Sequence, residues 1–183
     1  MYLINGKEVT KEEFQIPVED LVVWRGDGIF EAIGIHQGFL FALEEHIERF
    51  KKSAQKMHFD NIDFDKIEKD LVRVASNYDS GYMRVIIGRG ASKEESKVYM
   101  FYQDPIPVPD YYSLQSHKAH WMSGGDFQID EVSNIAAKST SYAMNMSHTR
   151  LAEKEGFTDS LLLNKDNIVL SLSNILSNCW KLW

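Results

Sequence analysis

The sequence is poor in the features that mark secreted, membrane-spanning or nucleic-acid-binding proteins. It has one cysteine, Cys179. A lone cysteine excludes an internal disulfide and fits a reducing compartment. No apolar run approaches the length of a membrane span. The opening MYLINGKEV has no basic start, apolar stretch or small-residue cleavage site, so no signal peptide is expected. Lysine and arginine total 20 against 27 acidic residues, and the net charge of −7 argues against a nucleic-acid backbone as the main partner. These absences lead to the expectation of a cytoplasmic protein. Proline is scarce as well, with four residues, yet three fall in PIPVP at positions 105–109. Alternate prolines exclude a central strand and favour an extended connector.

What remains is ordinary globular composition: 183 residues, 44% hydrophobic and 26% charged, enough for one large domain or two small ones. YLINGKEV reads as a hairpin turning at Asn5-Gly6, and GIFEAIGIHQGFLFAL as two strands around Gln37-Gly38. Leu43, Ile47, Phe50, Ala54 and Met57 recur at spacings of four and three and predict one apolar helix face. A second helix is predicted over DFDKIEKDLVRVASNY, with Asp63 as its cap. YMRVIIGRG and KVYMFYQ read as strands. Beyond the prolines, YSLQSHKAHWM alternates as a strand, and a further short strand leads to Lys138. A helix is predicted from about Ser141 to Glu155, stopped by Gly156, and a hairpin about Asp166-Asn167. The predicted organisation is an α+β chain: domain 1–104, a linker at 105–109, and a domain at 110–183 with three or four strands and one helix. The closing SNCWKLW, apolar and rich in tryptophan, suggests a chain that stops inside a fold.

Several residues invite chemistry. The closest histidine pair, His117 and His120, falls on opposite faces of a strand, so no metal site is expected. Arg25-Gly26-Asp27 spells an adhesion tripeptide and is read as coincidence. Within the wider RGDGIFE, Gly26 and Gly28 fit either a turn needing positive φ or a backbone approached closely by a ligand. His46, Arg49 and Ser53 share one side of the first long helix. Arg49 fits either a solvated side chain or a bidentate phosphate holder. Lys138 follows Ile135, Ala136 and Ala137. It is either a solvated lysine or an amine whose apolar neighbours lower its pKa enough for Schiff-base chemistry.

Taken in order, RGDGIFEAI, GFLFALEEHIERFKKSA, YMRVIIGRG and IAAKSTSYAMNMSHTRLAEKEGFTDSLLLNKDNIVL resemble the class IV aminotransferases, the fold-type IV pyridoxal-phosphate enzymes. That family includes branched-chain and D-amino-acid aminotransferases and aminodeoxychorismate lyase. The resemblance implies a small two-layer α/β first domain and a β-barrel-like second domain, here incomplete. It implies pyridoxal 5'-phosphate as cofactor, an amino acid and a 2-oxo acid as substrates, and a homodimer. Lys138 would carry the internal aldimine and move protons, and Arg49 would hold the cofactor phosphate. Phe30 would line the substrate pocket, and Arg84 would reach a substrate carboxylate.

The resemblance also implies a glutamate after the lysine helix that pairs with the pyridine nitrogen. Ser171 stands at that position, and serine supplies no charge. Asn174-Ile175-Leu176 resembles the family's asparagine motif two residues early. Two alternatives follow: a lyase using the same lysine, and a non-catalytic truncated remnant.

Overall fold

The computed structural model describes residues 1–91, 96–107, 109–119 and 137–172. The chain divides into two compact units, Met1–Ile106 with Ala136–Ser141, and Pro107–Ile135 with Tyr142–Trp183. The division falls inside the proline-rich stretch. The segment carrying Lys138 groups with the first unit, although sequence order placed it in 110–183. The physical reason is backbone pairing with an early strand, given below.

The first unit is built on a six-stranded sheet with strand order β2-β1-β6-β5-β3-β4. Its strands are β1 (Tyr2–Ile4), β2 (Lys7–Val9), β3 (Gly28–His36), β4 (Phe39–Leu40), β5 (Ser80–Gly88) and β6 (Lys97–Gln103). Every adjacent pair is antiparallel. The two tight turns form as their sequences predict: Asn5-Gly6 and Gln37-Gly38 all have positive φ, as two-residue hairpins require. A short helix, α1 (Leu21–Trp24), precedes β3, and its cap Asp20 accepts from the Val22 N–H.

Helices α2 (Leu43–Lys56) and α3 (Phe64–Ala75) cover one sheet face. Glu44 and Glu45 lie in the first turn of α2, where the helix dipole favours negative charge. Asp63 caps α3 by accepting from the Lys66 N–H. That helix ends at Ala75, before the Tyr78 that the sequence pattern includes, because Ser76 to Tyr78 close it with turn hydrogen bonds. Ile47, Phe50 and Ala54 of α2 and Ile67, Leu71 and Val74 of α3 pack with Leu3, Ile29, Ile33, Met83, Val85 and Ile87 of the sheet. Burial of each such large side chain is worth about 2 kcal/mol.

In the second unit, β7 (Leu114–Lys118), β8 (Asp159–Leu163) and β9 (Val169–Leu172) form a three-stranded sheet in that order among the described residues. β7 and β8 run parallel, connected through α4 (Ala143–Lys154), and β8 and β9 form the predicted hairpin, with Asn167 at positive φ. Gly156 adopts φ +84°, the left-handed stop expected of it. The helix is held to β8 by Thr149, whose hydroxyl donates to the buried Asp159 carboxylate at 2.8 Å. Ser171 sits on β9 opposite Leu162. His120, the strand expected before Lys138, Asn174 to Leu176 and Cys179 lie outside the described residues. Among the described residues no helix is long and apolar enough to cross a membrane, and no cluster of metal-binding side chains occurs.

Candidate active site

The site is assembled by backbone hydrogen bonds to residues 138–141. Ser139 forms an antiparallel bridge with Ile29 of β3. The Phe30 N–H donates to the Lys138 carbonyl at 3.0 Å, and the Thr140 N–H donates to the Gly28 carbonyl at 2.8 Å. The Thr140 and Ser141 hydroxyls both donate to the Gly26 carbonyl, at 2.8 and 3.0 Å. On the other side the Lys138 N–H donates to the Ser53 hydroxyl of α2 at 3.0 Å. Lys138 is therefore fixed through its main chain to both a strand and a helix.

The two glycines of RGDGIFE now have distinct reasons. Gly26 has φ +64°, a left-handed turn conformation. Gly28 has no such need; a Cβ there would stand 2.5 Å from Val22 Cγ2 and 3.1 Å from Thr140 Oγ1. Part of what approaches these glycines so closely is the lysine segment itself. Asp27 between them receives Arg89 Nε and Nη2 at 3.2 and 3.1 Å, while Arg89 Nη1 donates to the His58 carbonyl beyond α2. Arg89 thus ties the glycine turn to the end of the helix that supplies Ser53.

The four site residues expected from the resemblance come together in the first unit. Lys138 Nζ lies 4.4 Å from the centre of the Phe30 ring, a cation–π distance. Phe30 and Arg84 project from the same face of the sheet, since Arg84 on β5 pairs with Ala32 of β3, two residues from Phe30. Arg84 Nε donates to Gln103 Oε1 at 2.8 Å, and burial lowers its proton affinity. Burial also lowers the Lys138 amine to about 8, with Glu31 pulling upward and the cations Arg49 and Arg84 adding to the depression. At pH 7.5 an amine of pKa about 8 is neutral in roughly a quarter of molecules, against about one in a thousand for a free lysine.

Arg49 makes a bidentate fork with Glu31, from Nε to Oε1 at 2.7 Å and from Nη2 to Oε2 at 2.6 Å. His46 Nδ1 meets the same Oε2 at 2.8 Å. Burial acts to raise the Glu31 carboxyl, but hydrogen bonds from Arg49 and His46 outweigh it and hold it below the usual value. The sequence placed His46, Arg49 and Ser53 on one helix side. It gave Glu31 no role, although an acid at an inward position of an isoleucine-rich strand is a legible signal. The bond that Ser53 makes was not legible, because a hydroxyl that binds a distant backbone N–H follows no pattern.

These residues suit an aldehyde cofactor that carries a phosphate. Lys138 is a partly neutral amine, and Arg49, Arg84 and Glu31 around it leave a positive balance for a dianion. The comparisons agree with that class. A profile of the family described as "Amino-transferase class IV" matches residues 28–176. The chain belongs to the class IV aminotransferase family.

Among its relatives, a D-alanine aminotransferase from Bacillus licheniformis is 35% identical over 99 residues, covering 51% of this chain and 35% of the relative. A bifunctional aminodeoxychorismate lyase / D-amino acid transaminase from Mycobacterium tuberculosis is 28% identical over 164 residues, 83% of this chain and 56% of that protein. A solved structure titled as a hypothetical aminotransferase from Mycobacterium tuberculosis in PLP-bound form aligns with TM-score 0.81 and 25% identity, over 94% of this chain and 65% of that one. The chain thus spans from about a third to just under two thirds of these relatives' lengths.

Proposed function

We propose that the protein acts as a pyridoxal-phosphate-dependent aminotransferase on an amino acid and a 2-oxo acid. The observation that carries this reading is Lys138: an amine lowered to about 8, held over the Phe30 ring and within the field of Arg49. Bound pyridoxal phosphate would supply an electron sink for the bond-breaking at the amino acid's α-carbon. Lys138 Nζ is the atom that takes and returns the proton, because a partly neutral amine does both near pH 7.5. Arg49, braced by Glu31, binds the phosphate with its half-exposed guanidinium. Phe30 presents an apolar ring beside the amine and lines the substrate pocket. Arg84, partly desolvated by burial, attracts a substrate carboxylate. The resemblance expects a carboxylate where Ser171 stands, and a hydroxyl brings no charge; the reading therefore rests on the first unit's residues. With it go a cytoplasmic setting and a homodimer. The lyase alternative uses the same lysine, and the Mycobacterium tuberculosis relative is named for both activities.

The test is direct. Pyridoxal phosphate is added to the 183-residue chain, followed by borohydride and peptide mapping. A label fixed on Lys138 and absent from Lys138→Ala, with amino transfer from a panel of D- and L-amino acids, is expected. A folded sample that takes no label, or takes it equally in Lys138→Ala, rejects the reading and leaves the non-catalytic alternative.

A further inference from the structure

Strand β3 sends Ile29, Ile33 and Ile35 into the core beneath the helices, and Glu31 projects on the same side. Glu31 is 1% exposed. A carboxylate there needs partners to offset its lost hydration, and an apolar residue would need none. Its partners are Arg49 and His46, and their geometry is over-determined. Arg49 Nη2 lies 3.0 Å from His46 Nδ1 as well as 2.6 Å from Glu31 Oε2. A guanidinium only donates. If Nδ1 were bare, its lone pair would face a carboxylate oxygen at 2.8 Å. With Nδ1 protonated, Oε2 accepts from both His46 and Arg49, Oε1 accepts from Arg49 Nε, and the 3.0 Å approach of Nη2 to Nδ1 is the contact of two donors sharing Oε2 rather than a hydrogen bond. That arrangement is the consistent one. His46, itself 5% exposed, then fixes the rotation of the carboxylate, and the carboxylate fixes the plane of the guanidinium.

We propose that Glu31, oriented by His46, is the positioning residue for Arg49. It holds the half-exposed guanidinium in one orientation beside Lys138, and so sets how strongly the site prefers an aldehyde bearing phosphate over the same aldehyde without it. This rests on the reading of Arg49 as the phosphate holder. A purely electrostatic role predicts the opposite sign, since removing a negative charge would tighten the hold on an anion. A purely structural role predicts that both aldehydes weaken together.

The experiment titrates the 183-residue chain with pyridoxal phosphate and with pyridoxal, by absorbance and by the borohydride-fixed label on Lys138. The readout is the ratio of the two affinities. Glu31→Gln keeps the shape but turns an amide N–H2 toward donors, which breaks the fork, and is expected to lower the ratio about tenfold. His46→Leu keeps the carboxylate and removes its brace; a loss of about threefold is expected. This second variant decides the question if Glu31→Gln does not fold. A ratio that is unchanged or raised in the folded variants overturns the proposal. Wild-type protein that labels Lys138 with neither aldehyde overturns the functional reading itself, and does so before any variant is compared.

Discussion

The two faces of the six-stranded sheet make opposite use of the same strands. On the helix side, Ile29, Ile33, Met83, Val85 and Ile87 meet α2 and α3, and the only carboxylate in that layer of β3 is Glu31. On the other side, Phe30 and Arg84 offer a ring and a charge. Lys138 stands where the two meet: its backbone is bound to Phe30 and to Ser53 of α2, and its amine lies over the Phe30 ring. The difference teaches how a buried amine is placed. The apolar face supplies rigidity, the other supplies a ring and a charge, and burial of the lysine, with Arg49 and Arg84 nearby, lowers its proton affinity.

Breaking the rigid side has the largest effect. Phe50, fully buried against Phe64, anchors α2. Phe50→Ala is expected to cost about 4 kcal/mol in denaturant unfolding, from lost transfer energy and the cavity left behind. Breaking the chemical side has the opposite sign. Lys138 binds its proton less tightly when folded, about 8 against an ordinary 10.5. Between those values the unfolded chain holds the proton that the folded chain has released, so stability rises with pH across that window. The full difference is on the order of 3 kcal/mol. Lys138→Met is expected to be more stable than wild type at pH 7 by an amount of that order, and the gap should close by pH 10.5.

Arg49 bridges the two sides, and its loss should be intermediate. Arg49→Met leaves Glu31 buried with His46 alone and is expected to cost about 2 kcal/mol near neutrality. Glu31 is depressed in the folded state, so its stabilising contribution is present above its unfolded value of 4.5 and is lost as pH falls through its folded value. Arg49→Met should therefore flatten the acid limb of the stability curve. The smallest effect belongs to the backbone pin: Ser53→Ala is expected to cost about 1 kcal/mol, with faster amide exchange at Lys138.

Much of the rigid half was legible in the sequence. The turns at Asn5-Gly6 and Gln37-Gly38, the stripe on α2 and the Asp63 cap are local signals, and local energetics determine them. The placement of Lys138 was not. It depends on main-chain hydrogen bonds between residues about 110 positions apart, such as Thr140 to Gly28, and a backbone ladder leaves no side-chain pattern. Assigning the lysine to 110–183 followed chain order, and long-range pairing overrode it. The residues expected around the amine came from the resemblance and not from any local pattern. The partner that orders them, Glu31, stood in the sequence as one acid among isoleucines.

The most direct measurement is the pH dependence of Lys138 acylation, read peptide by peptide by mass spectrometry in the folded chain. A midpoint near 8 is expected, well below the ordinary lysine value of 10.5. A Lys138 midpoint at the ordinary 10.5 would contradict that placement of the amine.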